Sequence, residues 1–107
     1  MDKVLGYLGL ARIARKLIFG EEIFDSFASG KIKILFLAND MSESSFERYN
    51  KKCTYYHIPI IRDYDTLTLN ATLGKANIKA CALTDHGFAE AIKKERRCAD
   101  GENNQKE

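Results

Sequence analysis

The sequence predicts an α/β domain in which a mostly parallel or mixed sheet is covered by helices on both faces. Short apolar segments alternate along the chain with segments whose apolar residues recur at helical spacing. One apolar segment, residues 34–38, is continuous rather than alternating, which is typical of a strand that is buried on both faces. The predicted order of elements is α-β-α-β-α-β-α-β-α.

Length and composition indicate one domain. The chain of 107 residues is long enough for a compact domain and too short for two. We expect the domain over residues 1–97 and a disordered polar tail over 98–107, because the chain from Asp100 onward has no apolar residue. No apolar run is long enough to cross a membrane and no signal segment is present, so we expect a cytoplasmic protein without a membrane partner.

Two helices and two strands are predicted in the first part of the chain. Asp2 is a suitable cap for a first helix that runs to about Arg15. A short strand, Leu17–Phe19, leads into a second helix over residues 22–29. Gly30 is suited to the left-handed conformation that ends a helix. The buried strand at residues 34–38 follows.

A capping-box spacing predicts the start of the third helix. Ser44 and Glu47 are three residues apart, and apolar residues then follow helical spacing to about Tyr56. A strand is predicted at residues 58–61, where Pro59 lacks an N–H donor and therefore favours an edge strand or the first position of the ladder.

Gly74 interrupts the chain between the last two helices. The remaining predicted elements are a helix from Asp63 or Asp65 to about Thr72, a buried strand over 79–83, and a helix from Phe88 to about Arg97 that Thr84 or Asp85 caps.

The sequence contains no motif for catalysis. Leu73-Gly74-Lys75 ends in Gly-Lys but lacks the first glycine and the final Ser or Thr of a P-loop. His57 and His86 have no evident partner for metal or nucleophile chemistry, and solvated or capping roles are favoured. The odd number of cysteines, Cys53, Cys81 and Cys98, includes no CxxC pair. We therefore expect no enzyme, no cofactor and no metal; a small enzyme with an anion site at Gly20 or Gly74 is the least favoured alternative.

A glycine turn at Gly20 opens the second helix and gives the first functional hypothesis. The N–H groups at a helix N-terminus favour anions such as phosphate. Glu21 and Glu22 either complement the helix dipole or accept hydrogen bonds from base amino groups. Together with the basic residues on both sides, this turn predicts a phosphate-rich partner such as RNA. Those basic residues are Arg12, Arg15, Lys16, Lys31 and Lys33.

Several segments, in the same order, resemble the ribosomal protein L-seven-Ae family, and the nearest match is its bacterial YlxQ-like branch. The resemblance covers roughly residues 5–95. The segments include LGLARIARKL at 8–17, GEE at 20–22, SGK at 29–31, LAND at 37–40, LGK at 73–75 and TDHGFA at 84–89.

The resemblance implies a three-layer α/β/α sandwich around a four-stranded mixed sheet. It also implies RNA binding without catalysis, most typically to kink-turns or related internal loops. We accordingly expect a monomer associated with the ribosome, with ribosomal RNA as its partner and ribosomal or translation proteins as further partners.

In this family the RNA surface combines the turn that opens the second helix with the loop before the last strand. Carried over by position, the RNA-binding residues are Gly20, Glu21, Glu22 and Asp25, with Lys31 and Lys33 nearby, and then Leu73, Gly74, Lys75, Ala76, Asn77 and Ile78.

The chain departs from the family pattern at three places. Glu21-Glu22 stands where kink-turn binders usually have Asn-Glu, and Asn70 stands where a glycine is common. Asp25 occupies the usual lysine position, which reverses a charge that would face phosphate. This substitution motivates the alternative of a protein-interaction module that uses an apolar surface around Ile13, Ile18 and Phe19.

Overall fold

The computed structural model describes residues 2–104, and side chains as far as Arg97. Five α-helices alternate with four strands along this part of the chain. The helices are α1 (Lys3–Ile13), α2 (Glu21–Ser26), α3 (Glu43–Tyr56), α4 (Thr66–Leu73) and α5 (His86–Asn104), with a 3-10 turn (Phe27–Ser29) after α2; the strands are β1 (Leu17–Phe19), β2 (Ile34–Leu37), β3 (Ile60–Ile61) and β4 (Ala80–Leu83).

The strands form one mixed sheet with the order β1-β4-β2-β3. β4 runs antiparallel to both β1 and β2, and β3 runs parallel to β2. The central strands β2 and β4 are buried throughout, as their continuous apolar sequences predict. β3 is an edge strand, and it is shorter than the predicted strand over 58–61, because it begins at Ile60 and Pro59 lies just before it.

Helices cover both faces of the sheet, which confirms the predicted α/β class and the three-layer sandwich. One face packs against apolar residues of α1, α4 and α5, such as Leu8, Leu69 and Ile92. The other face packs against α2, the 3-10 turn and α3 through Ile23, Phe27 and Cys53. Burial of the large apolar side chains on both faces supplies the main stabilising free energy.

The direction of the strands defines two opposite ends of the sheet that matter for function. We call them the upper edge and the lower edge, as distinct from the edge strands. The upper edge is where β1, β2 and β3 end and β4 begins. The lower edge is where β1, β2 and β3 begin and β4 ends. The register sets these edges: Phe19 opposes Cys81 near the upper edge, and Leu17 opposes Leu83 near the lower edge.

Aspartate side chains cap three of the helices. A carboxylate oxygen that accepts from an N–H in the first helical turn satisfies a donor that would otherwise have no partner. The sequence leaves two candidate caps for α4, Asp63 or Asp65, and two for α5, Thr84 or Asp85. In the structure the caps are Asp65 and Asp85. These bonds join Asp2 to the N–H of Val4, Asp65 to that of Thr68 and Asp85 to that of Phe88, each at 2.8 Å.

The cap of α3 differs from the prediction. The helix begins at Glu43, and the Ser42 hydroxyl accepts from the N–H of Ser45 at 3.2 Å. The predicted capping box of Ser44 and Glu47 is therefore wrong, since both residues lie within the helix. Three of the four residues 42–45 are serines, so spacing alone did not identify which serine has the extended backbone of a cap.

Three other helix boundaries differ from the predictions. α1 ends at Ile13 rather than near Arg15, because Arg15 adopts a left-handed conformation (φ 61°) and the N–H of Lys16 donates to Ala11 O. The second helix tightens into the 3-10 turn after Ser26. α5 continues to Asn104, past the predicted end near Arg97. The predicted polar tail, 98–107, begins within this helix, and residues 105–107 lie outside the described part.

Two cysteines are small apolar residues of the core. Cys53 and Cys81 are both buried, and burial raises the pKa of Cys53 to about 11 and that of Cys81 to about 12. Both are therefore neutral thiols near pH 7. None of the helices of residues 2–104 is long and apolar enough to cross a membrane.

The α3 cap gives the first testable prediction. Ser42→Ala removes the acceptor for the N–H of Ser45 and should lower the free energy of unfolding by about 1 kcal/mol in urea denaturation. Ser44→Ala is the matched control, and it should have a much smaller effect. Equal losses for both variants would show that Ser42 is not the cap.

Candidate nucleic-acid interface

The strand register brings the two segments of the predicted RNA surface to the upper edge. β1 ends at Phe19, which opposes Cys81 of β4. Gly20 therefore follows β1 at the same edge where the loop 74–79 enters β4. Pairing between these two strands, which are distant in sequence, makes a single surface from the α2 turn and this loop.

The backbone of Gly20 explains the glycine at this position. Its φ of 65° and ψ of −143° lie in a region that is accessible almost only to glycine. This conformation turns the chain from β1 directly into α2. A Cβ atom added at Gly20 would meet no atom within 4 Å, so the backbone here is open to close approach by a ligand.

The first turn of α2 offers carboxylates rather than cations. Glu21 and Glu22 are exposed, and Ile23 between this turn and the sheet is fully buried. Asp25 is also exposed and forms no ion pair within the described residues. Glu21 and Glu22 are thus available either to complement the helix dipole or to accept from a ligand, and Asp25, near the C-terminus of α2, is available to accept from a ligand.

Hydrogen bonds that Asn70 accepts fix the loop before β4. The Asn70 side-chain oxygen accepts from the N–H of Ile78 at 2.8 Å. The backbone carbonyl of Asn70 accepts from the N–H groups of Gly74 and Lys75. Gly74 and Asn77 both have left-handed backbones, with φ values of 64° and 62°. The side chain and the backbone of Asn70 together therefore hold this loop.

The residues of this loop have two roles. Leu73 is fully buried, and Ile78 is half-buried against the core, so both anchor the loop. Its exposed residues are Gly74, Lys75, Ala76, Asn77 and Lys79. The exposed residues are the part of the predicted loop that is most accessible to a ligand.

Two cations lie beside the Gly20 turn and the loop. The Lys75 ammonium nitrogen is 5.0 Å from the centre of the Phe19 ring, within the range of a cation–π interaction. The Arg12 guanidinium lies 3.9 Å from the position of a Cβ atom added at Gly74. Lys75 thus links the loop to the end of β1, and Arg12 brings a charge from α1 to the same surface.

The prediction that Lys31 and Lys33 lie near the Gly20 turn is wrong. Both residues precede β2 at the lower edge, where the N–H of Lys33 donates to Leu83 O at 2.7 Å. α2 and the 3-10 turn carry the chain from the upper edge to the lower edge. A strand of four residues spans about 13 Å, which separates the two lysines from Gly20.

A link between the loop after β2 and α4 was not predicted. The Asp40 carboxylate accepts from the hydroxyl of Thr66 at 2.6 Å and from its N–H at 3.1 Å. The Thr66 side-chain hydrogen bond is the largest cause that lowers the pKa of Asp40, and a hydrogen bond to Thr68 likewise lowers the pKa of Asp65. Lys79 also reaches Thr66 Oγ1 at 3.3 Å. Asp40 and Asp65 are therefore ionised at neutral pH, and both lie at the upper edge.

Comparison with known proteins identifies the family. No family model matches the chain. The chain is 34% identical over 93 residues to RNA-binding protein YlxQ from Enterococcus faecium, which covers 86% of this chain and 89% of that protein. It is 31% identical over 86 residues to RNA-binding protein YlxQ from Bacillus subtilis, with 79% and 86% covered. The chain belongs to the YlxQ-like branch of the ribosomal protein L-seven-Ae family.

A solved structure shares the fold of this YlxQ-like chain. It is a protein of unknown function from Bacillus halodurans, with a TM-score of 0.82 and 27% identity. The match covers 89% of this chain and 97% of the other. The sandwich described above is thus also found in a solved structure.

The predicted apolar surface is divided in this YlxQ-like fold. Ile13 is 72% exposed on α1, close to Leu10, which is 55% exposed. Ile18 and Phe19 are half-buried and pack into the cores on opposite faces of the sheet. The proposed apolar surface around Ile13, Ile18 and Phe19 therefore does not form, and the exposed apolar residues lie on α1 instead.

The histidines are solvated, as predicted. His57 is exposed in the left-handed position that ends α3, and His86 is exposed at the first position of α5. Among the residues whose side chains are described, no group of three or more His, Cys, Asp or Glu residues is arranged to hold a metal ion.

The role of Asn70 gives the second testable prediction. Asn70→Ala leaves the part-buried N–H of Ile78 without its acceptor, so we expect a loss of about 1 kcal/mol in the free energy of unfolding. Hydrogen exchange at the Ile78 amide should accelerate more than exchange within α4. The control is Asn50→Ala, at a half-buried helical residue. Unchanged exchange at Ile78 would contradict this account of the loop.

Proposed function

We propose that this protein is a non-enzymatic RNA-binding protein that recognises a kink-turn or a similar structured RNA at its upper edge. The main support is the meeting of the Gly20 turn with the loop 74–79, where Lys75 lies over Phe19. The printed names of the two YlxQ relatives, RNA-binding protein, support RNA as the class of partner.

Each part of this surface has a physical role in the proposal. Gly20 and Gly74 allow a sharply bent RNA backbone to approach the protein backbone closely. Ala76 and the exposed part of Ile78 pack against an unstacked base, since structured RNA is recognised largely through splayed bases. Lys75 provides a positive charge for phosphate. The cation–π contact with Phe19 limits the conformations of this side chain before RNA binds.

The carboxylates of α2 determine selectivity in this proposal. Glu21 and Glu22 accept hydrogen bonds from base amino groups, as a carboxylate accepts from cytosine. A straight RNA helix keeps its bases stacked and presents phosphates instead, which these carboxylates repel. Asp25 lowers the overall affinity, because it replaces a family lysine with a charge of the opposite sign.

Binding to two RNAs tests the proposal directly. A kink-turn RNA and a matched straight duplex are titrated with protein at several salt concentrations. We expect tighter binding to the kink-turn, and weaker binding at higher salt because bound phosphates release counterions. Equal affinity for the two RNAs would contradict kink recognition.

Lys75→Glu tests the contribution of the loop. The substitution replaces an exposed cation with an anion, so kink-turn affinity should fall by about tenfold or more when phosphate contacts are lost. Lys52→Glu, with the same charge change on the exposed part of α3, should have a smaller effect. If both variants bind alike, Lys75 does not contact RNA.

Asp25→Lys restores the family charge and provides a gain-of-affinity test. We expect tighter kink-turn binding and a steeper dependence on salt, by roughly 0.7–0.9 in the log–log slope for one added phosphate contact. Glu47→Lys makes the same charge change on α3 and controls for net charge. An equal gain from both variants would show that Asp25 does not face the RNA.

A second candidate function is protein binding through α1. Leu10 and Ile13 are exposed on this helix, next to a shallow apolar depression that includes Gly6 and Gly9. Large exposed apolar side chains at a contiguous surface are typical of interaction sites. Under this second candidate function, the partners are ribosomal or translation proteins. Under the main proposal, the protein is a cytoplasmic monomer and its partner is ribosomal RNA.

Co-sedimentation with ribosomal subunits distinguishes these partners. Loss of co-sedimentation in Lys75→Glu, with retention in Leu10→Glu, would support contact through RNA. The reverse pattern would support docking through α1. Absence of the wild-type protein from the ribosomal fractions would exclude stable ribosome association under those conditions.

A further inference from the structure

The lower edge carries a second concentration of positive charge. Four connections lie at this edge, and three of them, at residues 14–16, 30–33 and 84–85, meet around the end of β4, because β4 lies between β1 and β2. Hydrogen bonds tie them together: the N–H of Thr84 donates to Lys16 O at 2.9 Å, and the N–H of Lys33 donates to Leu83 O at 2.7 Å. Lys16 and Lys33 therefore lie on the two sides of the end of β4.

These connections contain four cations and one carboxylate. Arg15, Lys16 and Lys31 are exposed, and the ammonium of Lys33 lies 3.5 Å from Gly30 O. None of the four makes an ion pair within the described part of the chain. The carboxylate, Asp85, is engaged as the cap of α5. One carboxylate against four cations leaves these connections with an excess of positive charge.

The upper edge has no such excess of positive charge. Its connections, at residues 20–22, 38–42, 62–65 and 74–79, hold five carboxylates and three cations, and two further cations reach this edge: Arg12, beside Gly74, and Arg96, in an ion pair with Asp63 at 3.1 Å. A polyanion is attracted by the summed field of a surface, so general attraction of RNA is expected at the lower edge rather than at the upper edge. The carboxylates are Glu21, Glu22, Asp40, Asp63 and Asp65, and the cations are Arg62, Lys75 and Lys79.

We propose that the lower edge is a second RNA-binding surface, which contacts the phosphate backbone of a helical RNA segment through Arg15, Lys16, Lys31 and Lys33. RNA as the class of ligand rests on the proposed function. The site itself rests on the charge and position of these four residues. Binding at this surface does not require a kinked RNA, because the cations contact phosphates and not the base edges.

The composition of the lower edge favours RNA over an acidic protein. Protein interfaces usually depend on apolar or aromatic anchor residues. The three connections themselves expose no large apolar side chain, and Ile32 within them is buried; the exposed Ile13 and Tyr55 lie at the ends of α1 and α3. Phosphate binding requires only accessible cations, which this edge provides.

Two RNA surfaces at opposite edges give the protein a bridging geometry. The upper edge selects a kinked element, while the lower edge holds a neighbouring helical segment. A folded RNA that contains both elements therefore binds with a higher effective affinity than either element alone.

Binding of a straight RNA duplex, measured by fluorescence anisotropy at several salt concentrations, tests the second surface. The proteins are the wild type, a Lys31→Glu/Lys33→Glu double variant, Lys75→Glu and Lys94→Glu. We expect the double variant to lose about tenfold or more in duplex affinity and to show a shallower salt dependence. Lys75→Glu and Lys94→Glu should retain most of the duplex affinity.

A second variant guards against a folding defect. Lys33 is half-buried, so Lys31→Glu is also combined with Lys16→Glu, whose side chain is exposed. Melting temperatures close to that of the wild type establish that each variant is folded. Wild-type duplex affinity in a folded lower-edge variant, or an equal loss in Lys75→Glu, would overturn the proposal. So would the absence of duplex binding by the wild type at low salt.

The same titrations keep the two proposals separable. Kink-turn preference in the wild type reports on the upper edge, and loss of duplex binding in the lower-edge variants reports on the second surface. If the wild type shows no kink preference while the lower-edge variants lose duplex binding, the proposed function fails and this inference stands.

Discussion

The antiparallel pairing of β4 between β1 and β2 is the constraint on which the rest of the structure depends. This pairing places the start of β4 beside the ends of β1 and β2, and its end beside their starts. The loop 74–79 consequently meets the Gly20 turn, although about 55 residues separate them in the sequence. The same pairing places Thr84 between Lys16 and Lys33.

Local features support this arrangement at the points where the chain enters and leaves the sheet. Gly20 adopts a backbone conformation that permits α2 to begin directly after β1. Asn70 holds the loop before β4 through one side-chain and two backbone acceptor contacts. Asp85 caps α5 immediately after β4. Agreement between local chemistry and strand pairing is what specifies one fold over its alternatives.

The sequence predicted most of the elements because their signals are local. Examples of such signals are the continuous apolar runs of the strands, the cap at Asp2 and the glycine at position 74. Each signal involves only a few neighbouring residues. The position of Lys31 and Lys33 was not predicted, since it depends on strand order and on where α2 leads the chain. The burial of Leu73 and the contact between Lys75 and Phe19 are likewise consequences of packing between distant segments. The serine-rich stretch before α3 shows that even a local signal fails when adjacent residues satisfy it equally.

RNA recognition at the upper edge is best tested by mapping the surface that RNA contacts. Amide chemical shifts of the isotope-labelled protein would be followed by NMR as a kink-turn RNA is added. We expect large changes at residues 20–23 and 74–78 together, because both segments belong to one surface. Changes confined to one of these segments, or found mainly on α1, would contradict it.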